Sequence, residues 1–300
     1  MEIEFGVLMD VREEGYGGER VDEVVVADRL GFDGVWLSEH HLTGDGMLPS
    51  PLVMAGVLAA RTSRIRVGTN ILVLPLHHPL RVAEDAAVVD LVSGGRLTLG
   101  VGQGYSEREF AAFGVDRRRR GALLEEGVRV IRSAWSEVAP RPRGKIPIYV
   151  AGVTAAGLRR AARLGDGVII YCATPADLIA RRKLLDEVVD NPPPLICTGI
   201  MHVDEDADRA WADAAPGIAY LEGEIASYGG TEPPALNRED YLVGTPEDVA
   251  ARLIAVHEAT RFVHFAHWLR LPTLSHDAAM RSLELIAGRV IPAVRAGVSR

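Results

Sequence analysis

The sequence predicts an α/β chain folded as a (β/α)8 barrel of the TIM type, with an insertion segment after the seventh strand. Three observations carry this. Apolar, β-branched runs alternate with amphipathic helical patterns along the chain. Eight such runs can be counted, most of them followed by a helix. The length, 300 residues, is one that α/β barrels reach as a single domain. A doubly wound open sheet is the alternative, because one strand more or fewer decides between the two. The chain is read as one domain, 1–300, with 204–243 as an insertion and mobile loop within it.

The elements follow in order. Glu4 to Met9 is the first strand. The helix Arg20 to Leu30 places Val21, Val24, Val25 and Leu30 at helical spacing, and Gly31 stops it as a glycine just past a C-terminus does. Gly34 to Leu37 is the second strand. Ser50-Pro51 opens the next helix with an N-cap and a proline at the first turn. Ile65 to Leu74 reads as one long third strand. Pro79 starts a helix ending near Leu91-Val92, and Ser93-Gly94-Gly95 turns the chain into the fourth strand, Arg96 to Val101. A long helix spans about Gly121 to Trp135. Ile146 to Val150, Gly167 to Tyr171 and Leu195 to Val203 are strands five to seven, separated by helices over Thr154 to Leu164 and Pro175 to Val189. Asn191-Pro192-Pro193-Pro194 forbids any continuation of the second of these. After the irregular stretch, with a loop at Ser227 to Pro234, Thr245-Pro246 caps a helix through Val256. Arg261 to Leu269 is the eighth strand, and Asp277 to Val290 the closing helix.

Composition narrows the function. A net charge of -8 disfavours a nucleic-acid binder, which needs a basic face. The one basic run, Arg117-Arg118-Arg119-Arg120, reads as a solvated loop ahead of a helix, with an anion contact as the second reading. No stretch is apolar for the roughly 20 residues of a membrane span. Cys172 and Cys197 each sit inside an apolar run and read as reduced core thiols. A cytoplasmic protein is expected.

In a barrel, catalytic groups come from the C-terminal ends of the strands. Asp10 follows the first strand, Glu39-His40-His41 the second, and Thr69-Asn70 interrupt the third. Gly102-Gln103-Gly104 follow the fourth, Gly152-Val153-Thr154 the fifth, and His264 and His267 lie in the eighth. Imidazoles titrate near neutral pH, so Trp36-Leu37-Ser38-Glu39-His40-His41 suits proton or oxygen chemistry. Gly100-Val101-Gly102-Gln103-Gly104 reads either as room for a flat ligand against the backbone or as a tight turn. Gly152-Val153-Thr154-Ala155-Ala156-Gly157 joins a strand to a helix whose first amides suit a phosphate, while Thr154 also serves as an N-cap. No zinc-type spacing occurs, so no metal is expected. His77-His78, ahead of Pro79, are placed at the periphery.

These residues resemble the bacterial luciferase-like flavin-dependent monooxygenases over nearly the whole chain. The sharpest stretch is Gly31-Phe32-Asp33-Gly34-Val35-Trp36-Leu37-Ser38-Glu39-His40-His41. Val67-Gly68-Thr69, His78-Pro79, Ala83-Glu84-Asp85, Ser93-Gly94-Gly95-Arg96, Phe113-Gly114 and Val243-Gly244-Thr245-Pro246-Glu247 also fit. The resemblance implies that reduced FMN, supplied by a separate flavin reductase, binds at the barrel mouth with oxygen and a small organic substrate. It implies Glu39, His40 and His41 as the catalytic set, His40 being the principal acid-base group and His41 shaping the pocket. Thr69, Asn70, Ile71, Gln103, Gly152, Val153 and Thr154 are implied as cofactor-binding, with a non-prolyl cis peptide at Asn70-Ile71 beneath the flavin ring. Gln103 departs from the arginine that luciferase has there, so the phosphate must rely on the Gly152–Thr154 turn or on another arginine. A homodimer through the helices Pro51 to Ala60 and Pro79 to Leu91 is expected. The same superfamily holds enzymes that transfer hydride to or from a deazaflavin, coenzyme F-420, which gives the alternative function. A flavin-binding barrel without turnover is the third.

Overall fold

Eight parallel strands close on themselves in the computed structural model, which describes every residue except 1, 2, 13, 14, 17, 230, 299 and 300, and not the side chains of 227–229. The elements are β1 Glu4–Met9, α1 Glu19–Leu30, β2 Gly34–Leu37, α2 Pro51–Arg61, β3 Arg66–Thr69, β4 Leu72–Val73, α3 Pro79–Ser93 and β5 Leu97–Gly102. Then come α4 Glu107–Ala112, α5 Arg120–Glu137, β6 Ile148–Ala151, α6 Ala155–Leu164, β7 Gly167–Tyr171 and α7 Pro175–Val188. The last are β8 Leu195–Gly199, β9 Met201–Val203, α8 Ala207–Gly229, β10 Leu242–Gly244, α9 Pro246–Thr260, β11 His264–Trp268, α10 His276–Leu285 and α11 Ile291–Val298. The barrel runs β1-β2-β3-β5-β6-β7-β8-β11 and closes where Glu4 meets His264.

Alternation along each strand makes two cores. Phe5, Val7, Val35, Leu37, Val67, Leu99 and Phe265 face outward and pack under the helices. Leu8, Trp36, Ile169, Ile196, Ala266 and Trp268 face inward. At the floor, Trp36 Nε1 donates to His264 Nε2 at 2.9 Å. Three glycines make room for this pair. A Cβ on Gly6 would lie 2.4 Å from the His264 ring, one on Gly34 2.9 Å from it, and one on Gly68 2.5 Å from Trp36.

The helix ends agree with the sequence reading in part. Gly31 ends α1 at φ +100°, and its N–H returns to Ala27 and Asp28. Pro51 begins α2, yet the Ser50 side chain makes no cap bond, contrary to expectation. Thr154 and Thr245 do cap, each accepting from the amide three residues on.

Three expected elements differ. The long third strand breaks after Thr69, where the Asn70-Ile71 peptide is cis. There the backbone leaves the ladder: Asn70 N–H bonds Leu37 O at 2.6 Å, and Val73 N–H bonds the Glu39 carboxylate at 2.5 Å. The seventh strand divides after Gly199, and β9 leaves the barrel to pair in parallel with β10. The closing helix does not stop at Val290; α10 passes through a π-helical turn at Ile286–Val290 into α11.

The irregular stretch after the seventh strand is mostly α8. Ala210, Ala214, Ile218 and Leu221 line one face of this helix and join the inward-facing cluster with Trp268, Leu271 and Tyr241. The helix therefore lies over the barrel mouth. Part of the expected mobile loop, Gly230 and the side chains of 227–229, lies outside the described residues.

Candidate active site

The mouth is organised around Glu39. This residue follows β2 and its side chain is wholly buried. Oε1 accepts from His41 Nε2 at 2.9 Å and from His77 Nε2 at 2.6 Å, while Oε2 accepts from Val73 N–H. Burial alone would raise the Glu39 carboxyl, but the two imidazoles and the Val73 amide outweigh it and leave its pKa below the usual value. The nitrogen and oxygen atoms of the three side chains lie within 4.8 Å of one another. His77 is thus not peripheral, as the sequence reading had it. No local pattern reveals this, since Glu39 and His77 are 38 residues apart.

His41 faces outward from this contact. Its hydrogen bond to Glu39 raises its pKa against the opposing effect of burial. Its backbone N–H donates to Glu109 Oε1 at 2.9 Å, and its ring packs on Phe113 with centroids 4.6 Å apart. Burial raises the Glu109 carboxyl, with the His41 contact pulling partly back. Ser106 caps α4 and accepts from Glu109 N–H at 3.3 Å. The sequence carries a signal for this helix, the Ser106-x-x-Glu109 capping spacing.

A cavity of about 440 Å³ opens beside His41, bounded also by Asp45, Tyr105, Glu109, Tyr220 and Glu224. That volume suits a small organic molecule. Its far wall is α8. Arg12, after β1, ties that wall down: it pairs with Asp10 at 3.2 Å, Glu224 at 3.3 Å and with Asp45.

His40 behaves differently from its neighbour. Its backbone N–H bonds Leu48 O, and its ring has no hydrogen-bond partner among the described residues. Burial, reinforced by the nearby Arg12 charge, lowers its pKa to about 4. At neutral pH it is an uncharged imidazole.

The expected cofactor residues fall into separate groups. Asn70 Nδ2 reaches across the barrel to Thr198 Oγ1 at 3.0 Å. Thr69 is fully buried in the β3–β5 seam, where its hydroxyl donates to Gly100 O and accepts from Gly100 N–H, so its side chain is already committed. The side of Gly102 that a Cβ would fill is taken by Ile71, at 2.7 Å, so this glycine serves close packing and leaves no opening for a flat ligand. Gln103 Oε1 accepts from Arg160 at 3.2 Å. Gly152 lets α6 pack tightly on β6; a Cβ there would lie 2.7 Å from the Gly157 backbone. Val153 is exposed and its carbonyl accepts from Arg181 at 2.7 Å, and Thr154 Oγ1 accepts from Gly157 N–H at 3.1 Å. The last of the basic run, Arg120, donates to Gly104 O at 3.2 Å.

Two expected mouth residues are elsewhere. His264 is the first residue of β11, at the opposite end of the barrel, bonded to Trp36 and Glu4. His267 has the outward parity of Phe265, and its ring lies 5.9 Å from Phe32 under the helices. A strand's length, not its sequence neighbourhood, decides which end a residue occupies.

Residues 3–261 match the family model described as luciferase-like monooxygenase. The chain belongs to the luciferase-like monooxygenase family. Limonene 1,2-monooxygenase of Rhodococcus erythropolis is 28% identical over 88% of this chain and 78% of that protein. An F420-dependent glucose-6-phosphate dehydrogenase of Kineococcus radiotolerans is 35% identical over 56% of each chain. The oxygenating constituent of 3,6-diketocamphane monooxygenase from Pseudomonas putida, solved in complex with FMN, superposes with a TM-score of 0.79 at 18% identity, covering 97% of this chain and 98% of that one. As a luciferase-like monooxygenase the chain is an oxidoreductase with a TIM-barrel fold.

The donor set of this family member fits a flavin mononucleotide. The first amides of α6 have no intrahelical acceptor, and three arginines, 120, 160 and 181, are fixed on the backbone or side chains of Gly104, Gln103 and Val153. Arg160 stands beside Gln103 while also pairing with Glu125 at 3.0 Å, so the cation there is shared with a carboxylate. Charge-assisted N–H donors of this kind match a phosphate ester.

Proposed function

We propose that this chain is the oxygenase of a two-component system, taking reduced FMN from a separate reductase and oxidising a small organic molecule with dioxygen. The observation that carries this is the Glu39-oriented His41 ring on the wall of a 440 Å³ cavity roofed by α8. The similarity to the FMN-bound oxygenating constituent of 3,6-diketocamphane monooxygenase supports the cofactor and the need for a reductase.

Reduced FMN, when bound, supplies the electrons that activate dioxygen. Gly152, Val153 and Thr154 would hold its phosphate with the arginine at Gln103, and Asn70 and Ile71 would form the bed of the ring, beside the buried Thr69. The α8 wall limits the access of water to the mouth, which favours such chemistry. His41, oriented by Glu39, holds or releases a proton at the cavity wall. His40, neutral above pH 6.5, accepts or donates one hydrogen bond without bringing a charge. In this reading residues 1–300 act as one domain, with 204–243 as its lid, in the reducing cytoplasm that suits two buried free cysteines.

A homodimer is part of the proposal. Val53 on α2 is 72% exposed, and Val57, Val88, Leu91 and Val92 extend the same kind of apolar surface over α2 and α3. A protein with Val53→Asp and Val92→Asp is expected to run as a monomer in light scattering where the parent runs as a dimer.

The F420-dependent relative supports a second reading, hydride transfer with a deazaflavin. Stopped-flow mixing separates the two. Oxygen uptake with reduced FMN supports the oxygenase. Its absence, together with turnover of coenzyme F-420, supports the dehydrogenase.

A further inference from the structure

We propose that His77 is a positioning residue of this mouth, sharing the Glu39 carboxylate with His41 and thereby fixing the tautomer and charge state of His41. The inference deepens the reading of the mouth as the reaction site.

A carboxylate oxygen only accepts. Both rings meet Oε1 of Glu39 through Nε2, so both Nε2 atoms carry hydrogen. This leaves Nδ1 as the nitrogen of His41 that can exchange a proton on the cavity side. The third contact, Val73 N–H on Oε2, stops the carboxylate from turning away. Glu39 and His77 therefore do for His41 what a carboxylate partner does for a catalytic imidazole elsewhere: they hold it in one tautomer.

The same arrangement divides one negative charge. The Glu39 side chain is wholly buried, while those of His41 and His77 are 11% and 29% exposed. One added proton makes the Glu39–His41–His77 set neutral. The two ring N–H groups thus share one carboxylate oxygen. Around His41, the other charged or titratable groups are Glu109 on α4, His40 beside it in sequence, and Asp45, Arg108 and Glu224 about the cavity. His77 faces Glu39 and adjoins His78. Removing His77 concentrates the Glu39 charge on His41 alone, and His41 then binds its proton more tightly.

The test uses nitrogen-15 NMR of the full chain without cofactor. In the parent protein, long-range proton–nitrogen spectra should show Nε2–H on both rings at neutral pH. The His41 titration midpoint should move upward in His77→Leu and return toward the parent value in His77→Gln, whose amide restores an N–H donor. An Nδ1–H tautomer on either ring overturns the proposal, and this reading needs no variant. A His41 midpoint that stays or falls in His77→Leu, or that moves equally in His77→Gln, overturns it as well. Neither flavin nor oxygen enters the measurement, so its failure is separable from failure of the oxygenase reading.

Discussion

Arg12 and Tyr220 join opposite sides of the barrel mouth: the guanidinium donates to the Tyr220 hydroxyl at 3.0 Å and lies 4.9 Å from its ring centroid. The hydroxyl donates in turn to Asp45 Oδ2 at 3.1 Å. A residue that follows β1 therefore fastens the helix that roofs the cavity.

Replacing Arg12 with Gln should loosen that roof. Asp10 is buried with one oxygen unpartnered, and it loses its cation in this variant. Breaking a fully buried pair costs roughly 3–5 kcal/mol, and partly exposed Arg12 should cost about 2 kcal/mol. Amide exchange across α8 should quicken relative to the barrel strands, and product formed per reduced flavin consumed should fall. Unchanged exchange in α8 would show that the apolar face alone holds it down.

Acid should destabilise the fold before the carboxylates titrate. The pKa values of His40 and His267 are lowered from 6.5 to about 4, chiefly by burial. Between those values the unfolded chain binds protons that the folded chain refuses, so stability falls as pH falls through this window. Thermal midpoints measured from pH 7 to pH 4 should decline, and His40→Gln should flatten the decline. An equal slope in that variant would mean that His40 is hydrated in solution.

The phosphate turn can be probed by charge. Thr154→Glu should weaken reduced FMN at least about tenfold, corresponding to about 1.4 kcal/mol. Thr154→Ser, which keeps the cap and hydroxyl, should bind as the parent does. Anaerobic fluorescence titration distinguishes them, and equal affinities would move the phosphate elsewhere.

At the floor, Gly68→Ala should force the Trp36 ring from its place. Overpacking of this kind costs about 1–3 kcal/mol. Urea unfolding measures it, with Gly44→Ala, where a Cβ meets nothing within 4 Å, as the control.

The barrel was legible because its strands and helices differ in period and are separated by Gly and Pro. Breaks inside uniformly apolar runs were not. Leu195 to Val203 carries no mark after Gly199 that would end a strand, whereas Thr69-Asn70 do interrupt Ile65 to Leu74, and the cis Asn70-Ile71 peptide that the resemblance implied is present. The Glu39-His40-His41 cluster stood out because its residues adjoin. His77, Arg12, Tyr220 and Glu224 did not, because the bond of His77 to Glu39 spans 38 residues and those of Arg12 to Tyr220 and Glu224 span 208 and 212. Glu109 could have been found from its capping spacing. His264 was misplaced for want of the strand's start.

The parallel pairing of β9 with β10 sets Met201 beside Leu242 and Val203 beside Gly244. A segment of some forty residues thus departs from β9 at Val203 and returns to its neighbour β10 at Leu242, both strands lying outside the eight-strand barrel. Such a cassette can lengthen, shorten or be exchanged without disturbing the register of the eight strands below. The passage that walls the cavity is thus written in one continuous stretch of chain, apart from the strands that carry Glu39, His41 and the α6 turn.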